Sequence, residues 1–344
     1  MEKTRKKLKW WVKLLIILGS VIVFLGVVIL GAIAVFRLGV NDYYKASEKA
    51  FVIPGLKEDF VPQGFHYDEE KQWFVVSGYH AKDKASPVYI VDKKSGQTLK
   101  KVNLATAKGK AFTGHAGGVA VYGEYLYIAG GGKRCVYVFS YTELSEAKNG
   151  ESISCKGSVS VSVSDEDYVG VSFVTVSGDR MIVGEFYDEK PYPTLQSHHI
   201  QTAAGDMNYA IALEYQLSKT AEFGISSAPT KAYTMRGKVQ GICLSGGKMY
   251  LSTSYGITFS RIYEYDESRM VSEGEMEILG QKLPLYAIDS ASLVKEYKIA
   301  PMSEEMVMLD GKLYVMCESA SSKYIFGNLI GGKWCYKTDL SKMK

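Results

Sequence analysis

Past residue 60 the chain alternates short apolar runs with turns rich in Gly, Asp, Asn and Ser, and it shows almost no helical periodicity. This pattern is typical of an all-β domain built from hairpins. One hairpin recurs: an apolar run meets a turn that contains Gly or Asp, and a second apolar run follows. The five copies are QGFHYDEEKQWFVVSGY from Gln63, GGVAVYGEYLYIAGGG from Gly117, SFVTVSGDRMIVGEFY from Ser172, QGICLSGGKMYLSTSYG from Gln240 and EEMVMLDGKLYVMCES from Glu304.

The spacing of these hairpins predicts the architecture. Their starts lie 54, 55, 68 and 64 residues apart, and further strand-like runs follow several of them. Four antiparallel strands in a repeat of this length describe a blade of a β-propeller. We therefore predict an all-β, five-bladed β-propeller of four-stranded antiparallel blades. A six-bladed ring is the alternative, if 187–235 or 257–300 contains another hairpin.

The two ends of the repeat region predict how the ring closes. The last repeat is short of an outer strand, while the segment KAFVIPGL before the first repeat reads as a spare strand. We expect this segment to pair into the last blade, because ring closure removes strand edges that would otherwise remain exposed.

The N-terminal region predicts one transmembrane helix. Residues 14–36 form a run of 23 residues without a charge, which as a helix spans roughly 34 Å against a bilayer core of roughly 30 Å. Six basic residues precede it, which favours a cytoplasmic N-terminus. The predicted order is a cytoplasmic tail over 1–13, a single-pass signal-anchor over 14–36, a linker over 37–50 and an extracytoplasmic propeller over 51–344. A cleaved signal peptide is the alternative because Ala32-Ile33-Ala34 has the small-x-small form, but the apolar run is longer than is usual for one.

Charge and cysteine content narrow the classes of partner. Residues 1–37 hold seven basic residues and one acidic residue, so the net charge of +4 comes from this end and the remainder is slightly acidic. Nothing in the remainder indicates nucleic-acid binding.

The five cysteines are too few and too scattered for a disulfide scaffold or a zinc site. Cys135 with Cys155, and Cys317 with Cys335, fall on neighbouring predicted strands, so each pair could form a disulfide or remain as buried thiols.

Propeller geometry places polar residues of distant segments on one face. The loops before the first strand and after the second strand of every blade share a face, which we call the top face. This rule makes eight residues candidates for ligand binding, namely Gln63, His80, His115, Glu185, Gln240, Tyr255, Glu304 and Glu318.

The Gln-Gly pairs at 63–64 and 240–241 have a physical interpretation. Gly lets neighbouring inner strands approach the axis, and Gln at the rim can donate and accept hydrogen bonds toward a ligand or water. The alternative is that these residues satisfy only backbone groups and water. No motif of a catalytic metal occurs, so no cofactor is predicted, although a structural Ca²⁺ remains possible.

Two stretches carry a family resemblance. FVPQGF with the following VYIVDKKSGQTLKKVNL resembles the first blade of five-bladed glutaminyl cyclases, and SEEMVMLDGKLYV resembles a Glu-bearing late blade of that family. The resemblance implies acyl-transfer cyclisation with Gln63 and Glu304 at the site. The general repeat also resembles streptogramin-lyase-like, NHL-like and YncE-like propellers.

The function predicted from the sequence is binding at the cell surface without catalysis. The ligand at the channel mouth would be a small molecule, a peptide, a glycan or an envelope protein. An enzyme, either a cyclase or a lyase that uses top-face Glu and His residues, is the alternative, and a structural role in an envelope complex is a third. An enzyme predicts a deep pocket with a buried Glu of raised pKa, whereas a binding module predicts an open aromatic face.

Overall fold

The computed structural model describes residues 9–80, 84–324 and 326–344, so residues 1–8 of the predicted cytoplasmic tail lie outside the described residues. The α-helices of these residues are α1 Trp10–Leu38, α2 Asn41–Ala46, α3 Tyr141–Glu146 and α4 Gly327–Ile330. The strands of the first half are β1 Ser47–Val52, β2 Phe60–Asp68, β3 Trp73–His80, β4 Pro87–Asp92, β5 Thr98–Ala105, β6 Val119–Tyr122, β7 Tyr125–Ala129, β8 Cys135–Ser140, β9 Ser152–Ser154, β10 Gly157–Ser160, β11 Phe173–Ser177 and β12 Arg180–Gly184. Those of the second half are β13 Ile200–Gln201, β14 Met207–Asn208, β15 Ala210–Gln216, β16 Lys231–Met235, β17 Val239–Ser245, β18 Lys248–Thr253, β19 Ser260–Asp266, β20 Ser272–Ile278, β21 Gln281–Ala287, β22 Leu293–Ile299, β23 Ser303–Leu309, β24 Lys312–Cys317 and β25 Trp334–Thr338.

These strands form five blades, which confirms the predicted five-bladed propeller. Blade one is β2-β3-β4-β5, blade two β6-β7-β8-β10, blade three β11-β12-β15-β16, blade four β17-β18-β19-β22 and blade five β23-β24-β25-β1. The inner strands β2, β6, β11, β17 and β23 contact one another around the axis. Five hydrophobic clusters of buried Val, Ile, Leu and aromatic side chains fill the spaces between the sheets.

The six-bladed alternative is wrong, although both long stretches do contain a hairpin. The hairpin β20-β21 adds to the outer edge of blade three through a parallel pairing of β16 with β21. The hairpin β13-β14 is a separate two-stranded ribbon. Each is therefore an insertion and not a blade.

The ring closes as predicted, through a strand from the N-terminal side. β1 pairs antiparallel with β25, from Ser47 opposite Thr338 to Val52 opposite Trp334. Phe51 of β1 is buried, and its ring centroid lies 5.1 Å from that of Phe74 in blade one. One short strand therefore joins the last blade to the first.

The predicted linker region is folded against blade five. Within 37–50, α2 follows α1 almost at once, and the buried Tyr43 packs its ring 5.8 Å from that of Tyr336. Helix α1 is long and apolar enough to cross a membrane, by length and composition. None of its side chains is buried.

All five cysteines carry free thiols, and the expected buried thiols are found for Cys317 and Cys335, whereas Cys135 and Cys155 are half-buried. Cys243, Cys317 and Cys335 are buried, and burial raises the pKa of each thiol.

Candidate functional site

The inner strands bulge where the sequence carries its Gln-Gly and Glu-Glu pairs. The pairing register shifts between Pro62 and Phe65 in β2, between Val239 and Gly241 in β17, and between Ser303 and Met306 in β23. A β-bulge bends its strand and redirects side chains. The bulges therefore place the pairs 63–64, 240–241 and 304–305 at the axis of the ring.

Glycine at this level allows a very close approach to the axis. A Cβ added to Gly118 would lie 2.3 Å from Oε1 of Glu305 and 2.7 Å from the backbone N of Val174. A Cβ added to Gly241 would lie 2.7 Å from Cγ of Glu305. The crowding that the sequence predicted for Gly241 is thus present, Gly118 shares it, and the group that fills the axis is the side chain of Glu305.

The buried carboxylate of Glu305 binds three other blades. Its Oε2 accepts hydrogen bonds from the backbone N–H of Phe65 at 2.8 Å and of Val119 at 3.2 Å, and its Oε1 accepts one from Val174 at 3.2 Å. Burial raises the pKa of this carboxyl, and the three backbone hydrogen bonds oppose that rise. A residue of blade five thereby pins the inner strands of blades one, two and three.

The mouth of the channel holds a second polar group, centred on Gln63. The side-chain amide of this buried residue donates to Glu318 Oε2 at 3.1 Å, and its Oε1 lies 3.0 Å from Nε2 of His115. Because an amide oxygen only accepts, His115 Nε2 donates. Gln63 therefore bridges a carboxyl of blade five and an imidazole of the loop before blade two.

Two carboxyls of blade five, those of Glu304 and Glu318, interact electrostatically at this end of the channel. Glu304 is 1% exposed, and its Oε1 has no hydrogen-bond partner among the described residues. Burial raises the pKa of Glu304, and the charges of Glu318 and Glu305 raise it further. Burial also raises the pKa of Glu318 to about 7, against the opposing effects of Lys323 and Gln63. Glu318 is therefore only partly ionised at neutral pH, and the raised pKa of Glu304 favours its protonated form.

The rim beside them combines a cation with aromatic rings. Lys323 donates to the hydroxyl of Tyr79 at 2.9 Å, and the Tyr79 ring centroid lies 4.1 Å from that of His115. The His115 side chain reaches solvent, yet the protein atoms around it desolvate the ring. This desolvation, together with the charge of Lys323, lowers the pKa of His115 to about 4. His115 is consequently neutral at pH 7. We call Gln63, Tyr79, His115, Glu304, Glu318 and Lys323 the channel-mouth cluster.

The structure thus brings together four of the eight candidates. Gln63, His115, Glu304 and Glu318 share the cluster. Tyr79 and Lys323 complete it, although the sequence analysis did not select them. Tyr79 lies near the end of β3, the second strand of blade one, and Lys323 lies in the loop after β24, so the rule that selected Glu318 reaches both. Nothing in their local sequence separates them from other surface Tyr and Lys residues.

The other four candidates lie elsewhere, and in the described part of the chain no hydrogen bond or ring contact joins them to the cluster. His80 packs against Phe60, and burial lowers its pKa. Gln240, half-buried, makes no side-chain hydrogen bond with another described residue. The other two belong to separate groups of residues on blades three and four.

Glu185 forms a buried polar group of its own in blade three. It accepts from the backbone of Ile211 at 2.9 Å and of Gly170 at 3.3 Å, and it lies 2.8 Å from Nδ1 of the buried His198. This arrangement attaches the insert after β12 to the blade. Its hydrogen bonds are directed at the protein itself, which accounts for Glu185 as a structural residue.

Tyr255 belongs to an aromatic group on the top face of blades three and four. Its ring centroid lies 6.1 Å from that of Phe186 and 6.5 Å from that of Tyr192, and Lys238 lies over it at 5.3 Å. The top face therefore carries an open aromatic area beside the polar mouth. Among the described residues no group of three or more His, Cys, Asp or Glu side chains is placed to hold a metal ion.

These features define the chain as a five-bladed β-propeller with a polar cluster at one end of its channel. Among solved structures, it is similar to the glutaminyl cyclase of Myxococcus xanthus, with 10% identity over 81% of this chain and 89% of that chain and a TM-score of 0.42. It is also similar to the PQQ-bound aldose sugar dehydrogenase of Streptomyces coelicolor, with 13% identity over 78% and 76% of the two chains and a TM-score of 0.41. A GH43_1 enzyme of Xanthomonas citri matches with 12% identity over 87% and 92% and a TM-score of 0.42.

Similarity at this level carries no information on activity, since propellers host many functions. No protein-family model matches the chain, and no curated protein matches it.

Proposed function

We propose that this protein is held at the membrane by α1, with its propeller outside the cytoplasm, and that the channel-mouth cluster binds an uncharged, hydrogen-bonding ligand without catalysis. The observation that carries the proposal is Oε1 of Glu304, a buried carboxyl oxygen that has no hydrogen-bond partner among the described residues and belongs to the same cluster as the bridged polar side chains. A buried polar atom left unpaired costs about 1–3 kcal/mol. A ligand that donates a hydrogen bond to this oxygen, or accepts its proton, offsets that cost.

The charge of the cluster favours an uncharged ligand. The carboxyls of Glu304 and Glu318 retain part of a proton near pH 7, so the pair can donate as well as accept. Gln63 adds an amide, which also does both. A ligand anion would meet carboxyls, and a ligand cation would meet the ammonium of Lys323. Amide and hydroxyl groups, as in peptides and glycans, fit all of these partners.

The membrane part of the proposal is supported by α1 and the residues before it. The helix has 29 residues and a mean hydropathy of 3.0 in its most apolar window, and basic residues precede its apolar run. Under the positive-inside rule this arrangement leaves the propeller outside the cytoplasm.

A thermal-melt screen of the full chain in detergent tests the ligand site. The probes are small glycans, short peptides including N-terminal-Gln peptides, simple amides and divalent ions. A ligand that binds the folded state raises the melting temperature. We expect the shift to vanish in the double variant Gln63→Ala/Glu304→Ala. The matched control is Gln240→Ala, which removes the corresponding Gln of blade four, whose side chain makes no hydrogen bond with any residue that the structure describes. A shift that survives the double variant would place the site elsewhere.

An enzyme is the second candidate, and the two carboxyls favour it specifically. A carboxyl whose pKa lies near 7 is suited to donate and take up protons at neutral pH, and Glu318 meets this condition. For an N-terminal-Gln peptide, attack of the α-amine on the side-chain amide closes a ring and releases ammonia, and a carboxyl would transfer the proton to the leaving nitrogen. Mass spectrometry of such a peptide after incubation detects that loss. If the loss occurs with the parent chain and not with Glu304→Gln, the protein is an enzyme, and unchanged peptide leaves the binding proposal in place.

A further inference from the structure

The last turn of α1 is attached to the top face of the propeller. The ring centroid of Phe36 lies 5.8 Å from that of Phe259 and 5.8 Å from that of Phe326, and Arg37 donates to the carbonyl of Ile330 at 3.0 Å. Phe259 lies in the loop after β18, and Phe326 and Ile330 lie in the loop after β24. Each of these loops follows the second strand of its blade. The helix therefore leaves from the face that carries the channel-mouth cluster.

The junction between helix α1 and the propeller is closely packed. A Cβ added to Gly39 would lie 2.4 Å from a ring atom of Phe259, and the guanidinium of Arg37 lies 3.9 Å from the ring centroid of Tyr44. The apolar run ends at Phe36, the residue that makes the first of these contacts. If α1 spans a bilayer, the surface of that bilayer consequently lies directly against the top face of blades four and five.

The same face exposes large apolar and aromatic side chains near the junction. Ile257 is 63% exposed in the loop that also holds Phe259, and Leu329 is 56% exposed in α4. Tyr192 and Tyr255, with Lys238 over the latter, continue this surface toward the mouth. Aromatic and basic side chains of this kind are typical of the membrane–water interface, where an apolar ring and a polar end are both satisfied.

We propose that the top face of blades three to five rests on the outer leaflet, so that the channel mouth takes its ligand from the membrane surface. This inference rests on the proposed function, since it needs α1 to be retained and the mouth to be a site. The ligand class becomes narrower: it is the uncharged polar part of a membrane-borne molecule, such as a sugar or amide group attached to a lipid. A soluble ligand would have to enter from the side between the bilayer and the rim.

Quenching by brominated lipids tests the orientation, with the full chain in vesicles of brominated or ordinary phosphatidylcholine. Ile257→Trp and Leu329→Trp place a reporter on the proposed membrane-facing surface, at exposed positions where the fold tolerates a larger side chain. Leu99→Trp is the matched control: Leu99 is 49% exposed, but it lies at the start of β5, near the opposite face. The signal of each added tryptophan is taken as the difference from the parent chain, which has four tryptophans.

We expect the tryptophans at 257 and 329 to be quenched and blue-shifted, and the tryptophan at 99 to be neither. Equal, weak quenching at all three positions would overturn the inference, as would removal of α1 from the mature chain. Emission typical of water exposure at 257 and 329 in vesicles would overturn it as well. The outcome is separate from that of the melt screen. Quenching without a mouth-dependent melting shift would refute the ligand site alone, and a shift without quenching would refute the orientation alone.

Discussion

Replacing Glu305 with Ala tests what holds the five blades around their axis. The substitution removes the acceptor of three backbone N–H groups, those of Phe65, Val119 and Val174. Each buried donor left unpaired costs about 1–3 kcal/mol. Water entering the vacated space would recover part of this, so we expect a loss of about 3 kcal/mol or more, a large share of the roughly 5–15 kcal/mol typical of a folded domain.

The neighbouring residue supplies the matched control. Glu304→Gln changes an equally buried carboxyl on the same strand, but one whose Oε1 has no partner within the described part of the chain. We expect it to be neutral or stabilising at neutral pH, because the amide of Gln has nearly the same shape and carries no charge whose burial would be costly. Glu305→Gln keeps one acceptor oxygen but turns an N–H toward a backbone donor, so its loss should lie between the other two.

The assay is unfolding of the full chain in detergent by heat and by urea, followed by far-ultraviolet circular dichroism. We expect the stability of the variants to increase in the order Glu305→Ala, Glu305→Gln, Glu304→Gln. A Glu305→Ala variant within about 0.5 kcal/mol of the parent, the range of an ordinary surface substitution, would refute the assignment of Glu305 as the central pin.

Three further predictions concern pH, ring closure and the axis. Burial raises the pKa of Glu304 and raises that of Glu318 to about 7, so the folded state keeps protons that the unfolded state has lost, and stability falls as pH rises from the ordinary range of glutamate toward these raised values. His66, His80 and His115 have lowered pKa values and change the stability in the opposite sense at lower pH. The quantity to measure is therefore the melting temperature of Glu304→Gln minus that of the parent chain. This difference should grow between about pH 5 and pH 8, and a constant difference would contradict the prediction. Phe51→Ala removes a buried ring from the closing strand and should cost about 3–5 kcal/mol by urea unfolding; a loss below about 1 kcal/mol would show that β1 is dispensable. Gly118→Ala should lower the melting temperature strongly, since its Cβ would meet the carboxylate at the axis, whereas Gly170→Ala, with its nearest atom at 3.5 Å, should not; equal effects would contradict the close approach.

The fold could be predicted from the sequence because the same hairpin recurs along the chain. Five hairpins at similar spacing, and one strand too few at the end, predict both the ring and its closure by the segment before the first hairpin. The insertions β20-β21 and β9 were not predictable in the same way. Each pairs in parallel with the outer strand of another blade, and no local pattern indicates so distant a partner.

Only part of the candidate site could be predicted from the sequence. Loop geometry alone placed Gln63, His115, Glu304 and Glu318 on one face, but the same rule selected His80, which packs away from the cluster. A rule that sorts loops by face cannot tell which side chains turn toward the axis. The bulges at the starts of β2 and β23 decide that, and a bulge depends on pairing between strands.

The attachment of α1 to the top face was also outside the reach of the sequence. Phe36 and Arg37 read as the end of an apolar run, and their partners lie more than 200 residues later in the chain. The expected linker over 37–50 has an ordinary polar composition, and its order comes from packing of Tyr43 on blade five.

We propose above that the carboxyls of Glu304 and Glu318 at the channel mouth retain a proton near neutral pH and present it to a ligand. Infrared spectroscopy of the full chain labelled with ¹³C-carboxyl glutamate, recorded across the pH range, tests it without knowledge of the ligand. The account predicts a protonated glutamate carbonyl band that persists at about pH 6–7, loses intensity above that range, and changes in Glu304→Gln but not in Glu296→Gln, an exposed control. If every glutamate were already fully ionised at about pH 5, the proposed proton retention would be contradicted.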